Sequence, residues 1–356
     1  MGGLNYSDAG VDTSLAARET GALAKILAQT AAFRPDVGRA VLPNGYYASA
    51  LKLTDDLALA LCTDGVGSKL LVAELLGKYD TVGIDCIAMN VNDLVCIGAE
   101  PIAMVDYIGV EHLQPGVMEQ VAQGLLEGAR QANIAIPGGE TAQLPDMIRG
   151  AKPGHGLDLV GTAVGVVATK DLNDGSKATA GDVVIGVPSS GVHSNGLTLA
   201  RKALFDKGGL ALDQHVDELG MTAGEAVLTP TRIYVRESLE LFRSEVDVHA
   251  LCHITGDGLL NLNRVAAKVS FELDALPAPH PIFTLIQKLG DVSNAEMYTV
   301  FNMGVGLCAV VPESDAKRAC EILGEGSQVI GCVTDDAGKR VTLAEHGLSG
   351  SGSTFA

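Results

Sequence analysis

At 356 residues the chain is long enough for two domains on the usual scale of roughly 100–200 residues each, which excludes a small scaffold that needs staples to fold. Hydrophobic residues make up 47% and the 43 glycines follow no collagen-like period, so the composition is globular and turn-rich, not that of a disordered chain. With 25 basic against 43 acidic residues the net charge is −18, a field that repels nucleic-acid phosphates and anionic lipid, and aromatics at 4% with no Trp leave little for single strands to stack on.

Taken in chain order, Thr13 or Ser14 caps a predicted helix that runs to Ala32 and stops before Arg34-Pro35. Ser49 to Cys62 reads as two strands turning at Asp55-Asp56, where Asp suits the turn itself. The segment Thr63 to Lys69 then opens a helix to Lys78. An apolar helix spans Val82 to Ile97, followed by strand Pro101 to Val110, helix Pro115 to Ala132 and a short strand Ile134 to Ile136 that ends at Pro137-Gly138-Gly139-Glu140. Leu157 to Ala168 is a long apolar strand, and the polar stretch Lys170 to Asp182 marks the domain boundary. Beyond it come strand Val183 to Val187, helices Asn195 to Asp206 and Pro230 to Phe242, and a strand near Val248 to His253. The Gly/Ser-rich residues from Gly347 are expected to fray. Hairpins and paired helices interrupt any strict alternation, so the fold class is α/β in the sense of α+β layers. No window reaches about 18 uninterrupted apolar residues and Met1 to Ser14 lacks a basic flank with an apolar run, so neither a membrane span nor an export signal is expected. Seven scattered cysteines without C-x-x-C spacing read as reduced thiols of a cytoplasmic protein.

Four segments carry chemistry. Asp64, Gly65, Gly67 and Lys69 lie at a strand-to-helix turn, where free amides, the helix dipole and an ammonium suit an anion and Asp64 suits a metal. The alternative is an ordinary turn, since neither a P-loop nor G-x-G-x-x-G occurs. On the next helix Asp85, Met89 and Asn92 share one side with Asp93 one step round, either as capped polar groups or as part of a metal site. Gly139, Glu140 and Thr141 follow a buried strand. Asp64, Asp93 and Glu140 together suit Mg²⁺, which takes oxygen ligands, leaves room for phosphate oxygens and supplies the countercharge this acidic chain lacks. Ser190, His193, Ser194 and Asn195 sit where a second strand enters a helix and offer hydroxyls, amides and a proton donor, or simply an N-cap beside a solvated histidine. His249, Cys252 and His253 hold no zinc spacing and read as packing or hydrogen-bonding groups.

These motifs stand together with Tyr6 to Asp12, Gly83-Ile84-Asp85, Gly98 to Pro101, Pro230 to Val235, His253 to Gly256, Glu296-Met297-Tyr298 and Phe301 to Gly306. In that order the chain resembles the phosphoribosylformylglycinamidine cyclo-ligases, also called aminoimidazole ribonucleotide synthetases. The resemblance implies a two-domain ATP-dependent synthetase: a nucleotide- and metal-binding half over residues 1–169 whose strands form a barrel with a second copy, a C-terminal α/β half over 170–346 and a flexible tail over 347–356. It implies ATP with Mg²⁺, a phosphorylated ribonucleotide substrate, and closure of its imidazole ring in purine biosynthesis after phosphorylation of the formyl oxygen. Asp64, Asp93 and Glu140 fall where related families hold metal. His193 and Lys69 are the expected catalytic residues, with Asp64, Gly65, Gly67, Lys69, Asn92, Gly139, Thr141, Ser190, Ser194 and Asn195 binding nucleotide. The alternative is another ATP-dependent phosphotransferase or synthetase of the same superfamily with a different acceptor. Two segments depart from the family pattern: Arg39 to Ala48 replaces a glycine-rich loop, and Gly256-Asp257-Gly258 replaces three glycines.

Overall fold

The computed structural model describes every residue except Met1, Gly2, Asp12 and Asn44; the side chains of Thr13 and Ser14, the expected cap, also lie outside the described residues. In chain order the elements are α1 (Thr13–Leu27), β1 (Ser49–Lys52), β2 (Leu57–Gly65), α2 (Leu70–Leu76), α3 (Val82–Cys96), β3 (Glu100–Val110), α4 (Val117–Ala132), β4 (Gly139–Gln143) and β5 (Leu157–Ala168). After the boundary come β6 (Asp182–Pro188), α5 (Leu197–Arg201), β7 (His215–Val216), β8 (Met221–Thr222), α6 (Ala223–Leu228), α7 (Val235–Arg243), β9 (Ala250–His253), β10 (Ser270–Leu273), α8 (Pro281–Gly290) and α9 (Asn294–Val300). The chain closes with β11 (Val305–Pro312), α10 (Ala316–Leu323), β12 (Gln328–Thr334), β13 (Arg340–Leu343), β14 (Leu348–Ser351) and β15 (Thr354–Phe355).

The first sheet has the order β1-β2-β5-β3-β4, antiparallel except for the β3–β4 pair. Its long central strand β5 alternates buried Leu157, Leu159, Gly161 and Ala163 with more open Val160, Thr162 and Val164, the period of a sheet with one covered face. α3 covers that face. The helix is so apolar because it is sandwiched: every residue from Cys86 to Asn92 is buried, with β2 and β5 on one side and the second half of the chain on the other. Gly83 and Gly124 let α3 and α4 touch backbone to backbone, since a Cβ on Gly83 would lie 2.2 Å from the Leu125 nitrogen. The second sheet has the order β15-β14-β13-β10-β12-β6-β11-β9. β6 and β11, internal strands toward its β9 edge, are almost wholly buried.

Several expectations need correction. Residues 134–136 contribute only one bridge, Ala135 to Ala103, and the pairing strand is the later β4. The first helix ends at Leu27 and tightens into a 3₁₀ turn through Phe33. Pro230 to Tyr234 is not helical, because its backbone is bonded to side chains of α3 instead. The end of the chain is not a frayed tail: β14 and β15 form a hairpin on the second sheet and Phe355 is buried. In the first sheet β2, β3 and β5 are internal, and β1 and β4 form the edges. What they leave open is a face, where Leu57, Leu59, Leu61, Val105, Tyr107 and Val164 stand on the side away from α3.

Candidate active site

The end of β2 places Asp64 in register with Gly161 of β5, Asp106 of β3 and Gly139 of β4. One row of a sheet points one way, so Asp64 and Asp106 share the covered face. The two glycines clear room for them. A Cβ on Gly139 would lie 2.5 Å from Asp106 Oδ1, and one on Gly161 would lie 2.7 Å from Met104 Sδ. Asp64 Oδ1 accepts the Gly65 N–H at 2.7 Å. Burial raises its pKa, and the negative charge of Asp93 on α3 adds to the rise. Asp93 in turn accepts a hydrogen bond from His253 Nδ1 at 2.8 Å, and the Cys62 thiol lies 3.8 Å from its other oxygen. Burial above all pushes the Cys62 pKa far up, so this sulfur is a protonated donor.

Glu140 is one residue along β4, in the row of Tyr107, Val160 and Gly65. By strand alternation it points to the opposite, open face, where it is exposed and its carboxylate accepts the neighbouring Thr141 N–H. The expected trio of metal ligands is therefore not brought together: among the described residues no three His, Cys, Asp or Glu side chains gather closely enough to hold an ion. Asp64 and Asp93 remain as a pair. A partly buried carboxylate whose ionisation is opposed by burial and by a neighbouring carboxylate fits a divalent cation. Mg²⁺ is commonly held by one or two carboxylates while phosphate oxygens and water complete its shell.

Lys69 and Asn92 are corrected more sharply. Lys69 is fully buried; its ammonium donates to Asp85 Oδ1 at 2.8 Å and to the Thr229 carbonyl at 2.6 Å, and burial lowers its pKa. Asp85 Oδ1 also accepts the Thr231 N–H at 2.7 Å and hydroxyl at 2.6 Å. Asn92, also buried, donates to the Arg232 carbonyl and accepts the Tyr234 N–H, both at 2.9 Å. These groups tie α3 to the segment Thr229 to Tyr234 and have no face left for a nucleotide.

In the second half His193 has φ +63°, unusual without glycine, and is 1% exposed. Its Nε2 accepts the Ser190 N–H at 3.1 Å, which assigns the ring proton to Nδ1, and Nδ1 is buried without a partner. Burial, with His253 and Lys69 nearby, drives its pKa well down, so the ring is a neutral hydrogen-bond donor and not an imidazolium acid. Ser190 Oγ donates to the Pro230 carbonyl, Ser194 Oγ lies 3.4 Å from Thr231 Oγ1, and Asn195 approaches Met89 Sδ at 3.8 Å. Neither Ser194 nor Asn195 caps a helix; Gly196 in the left-handed region leads into the five-residue α5. Gly67, at φ +70°, makes the corresponding turn after β2. Where the resembling family has three glycines, Asp257 is ion-paired with Arg264 at 3.6 Å, and that guanidinium lies over the Tyr47 ring.

Sequence reasoning missed Asp106 and His253. Asp106 alternates with Met104 and Ile108 on the covered face of β3, so a carboxylate at an apolar-phase position was the available signal. Burial raises its pKa. His253 gave no such signal, because its partner Asp93 is 160 residues earlier.

The N-terminal domain of the AIR synthase related proteins matches residues 45–167, and their C-terminal domain matches 179–344. The chain is 47% identical to the phosphoribosylformylglycinamidine cyclo-ligase of Methanocaldococcus jannaschii over 93% of both chains. With the cyclo-ligase of Thermococcus kodakarensis it shares 48% identity over 95% of this chain and 98% of that one. The chain belongs to the phosphoribosylformylglycinamidine cyclo-ligase family. Among solved structures, the hydrogenase maturation protein HypE in complex with ATP superposes with a TM-score of 0.59 over 84% of this chain and 85% of that one, at 21% identity. That likeness shows a shared α/β fold. No helix among the described residues is long and apolar enough to cross a membrane.

Proposed function

We propose that the protein is an ATP-dependent ligase that converts formylglycinamidine ribonucleotide to aminoimidazole ribonucleotide in purine biosynthesis. The observation that carries this reading is identity of 47–48% to cyclo-ligases over nearly the whole chain, together with Asp64 and Asp93 brought within electrostatic reach of each other from separate elements. In the reaction the formyl oxygen takes the γ-phosphoryl group of ATP and ADP leaves. The amidine nitrogen then attacks the same carbon, and phosphate departs with the former formyl oxygen as a proton is lost.

Asp64 and Asp93 are the residues that would hold Mg²⁺, which when bound offsets the triphosphate charge that an acidic chain cannot. Gly67, with Ser190, Ser194 and Asn195, would contact the nucleotide; the Gly65 amide is already spent on Asp64. The orphaned Nδ1–H of His193 suits an oxygen that gains negative charge during phosphoryl transfer; an unsatisfied buried donor costs about 1–3 kcal/mol, and such an oxygen would satisfy it. Lys69 and Asn92 are positioning groups that hold the halves in place. Glu140, on the open side of β4, is left to whatever covers that face, while Thr141 falls in the row of Ile108 on the covered side.

A second copy is the best candidate to cover it. Beside the apolar outer face of the first sheet, α1 and the turn after it also carry uncovered apolar side chains: Leu23, Ile26, Leu27 and Phe33 are all exposed. An isolated 15-residue helix is marginal in water, and apolar surface on this scale marks an interaction site. A homodimer formed through the N-terminal half would bury both. The seven free cysteines suit a reducing cytoplasm. Purified protein incubated with ATP, Mg²⁺ and formylglycinamidine ribonucleotide should yield ADP, phosphate and the imidazole in equal amounts. ADP without the imidazole, or no turnover of this substrate, would point to a different acceptor.

A further inference from the structure

We propose that His253 is a positioning residue of this site: by donating its Nδ1–H to Asp93 it fixes the carboxylate in the orientation that binds divalent metal, without itself touching metal or nucleotide. The proposal rests on the reading of Asp93 as a metal ligand.

His253 closes β9, paired with Leu307 of β11, and is wholly buried. Its Nδ1 is 2.8 Å from Asp93 Oδ1. On the other side of the ring Nε2 lies 3.4 Å from Asn92 Nδ2. That amide is itself oriented by the Arg232 carbonyl and the Tyr234 N–H, so it presents a donor to Nε2. A donor there places the ring proton on Nδ1, aimed at Asp93. The ring is thus held from both sides and the tautomer is set by the fold.

A carboxylate near the end of a helix has two free torsions, and a single fixed hydrogen bond removes most of that freedom. Here Oδ1 takes the imidazole, the Cys62 thiol stands 3.8 Å from Oδ2, and 14% of the Asp93 side chain stays open. The two contacts leave the rest of the carboxylate to a cation, with no lysine or arginine among its described hydrogen-bond partners. Outer partners of this kind are typically worth about 10–100-fold in metal affinity.

The same stretch of chain supplies a control. His249 makes an equally short pair, Nδ1 to Asp182 Oδ2 at 2.6 Å, and Asp182 begins β6, away from α3. A purely structural His–Asp link at 253 predicts that breaking either pair lowers stability and changes nothing else.

The test uses the full-length protein, with Mn²⁺ as a paramagnetic probe titrated in the presence of ADP and free Mn²⁺ read by electron paramagnetic resonance. Thermal melts are run on the same samples. Asp93→Asn should abolish tight binding. His253→Ala should weaken Mn²⁺ about 10–100-fold, His253→Asn, whose amide nitrogen can replace the Nδ1 donor, should recover most of the loss, and His249→Gln should leave the affinity unchanged. Wild-type affinity in His253→Ala, or an equal loss in His253→Asn and His249→Gln, overturns the proposal. If His253→Ala does not fold, His253→Leu, which fills the ring's space without a donor, should show the same loss of affinity, and wild-type affinity in it overturns the proposal. Wild-type affinity in Asp93→Asn would instead overturn the assignment of the metal ligand, and this proposal with it.

Discussion

Asp85 and Asp93 sit roughly two turns apart on α3, and what surrounds them differs in charge. Asp85 is sealed between Lys69 and the backbone and hydroxyl of Thr231, with its side chain at 0% exposure. Asp93 meets an imidazole and a thiol, those of His253 and Cys62, and keeps 14% of its side chain open. A carboxylate matched by an ammonium in the interior is a lock, while one held at an edge without a lysine or arginine keeps room for a cation. The partner and the exposure, not the residue type or the motif, separate scaffold from site.

Removing the cation from the lock should produce the largest effect. Lys69→Ala leaves Asp85 buried and unpaired, which typically costs about 3–5 kcal/mol. Denaturant unfolding should show that loss, and a loss under about 1 kcal/mol would mean that the pair does not hold the halves together. Next comes His193. Losing one donor aimed at developing charge usually costs about 10²–10³ in kcat, and His193→Ala should fall in that range in a cyclisation assay while still folding. The same residue makes a pH prediction. Its folded pKa is depressed, so below the ordinary value of about 6.5 the unfolded chain takes up a proton that the folded chain refuses. Its contribution to stability is therefore present above that pH and lost as pH falls, and His193→Ala should flatten the decline seen in unfolding between about pH 7 and pH 5. The smallest effect has the opposite sign. Because burial and Asp93 raise the Asp64 pKa, its charge weakens the metal-free fold at neutral pH. Asp64→Asn should raise the metal-free melting temperature by about 1–3 °C, and a lower melting point would show that the two carboxylates do not oppose each other.

Much of this architecture is legible in the sequence. The long apolar runs from Leu157 to Ala168 and from Val82 are strong signals, and both elements fall within one residue of their expected bounds. Pro230 to Tyr234 misled because its hydrogen bonds go to side chains 140 or more residues away, which no local pattern records. The glycine-flanked Lys69 looked like a phosphate ligand for the same reason: only the packed structure reveals Asp85 opposite its ammonium. Glu140 failed on parity, since one residue along a strand reverses its face. Gly139, by contrast, is explained only by the structure, as the gap that admits Asp106.

The division of labour along α3 is tested most directly by Asp93→Asn, assayed for imidazole formation from formylglycinamidine ribonucleotide with ATP and Mg²⁺ and melted alongside the wild type. The account predicts a folded protein whose melting temperature lies within about 2–4 °C of wild type and whose turnover is almost abolished. Wild-type turnover in this variant, or a protein that no longer folds, would contradict it.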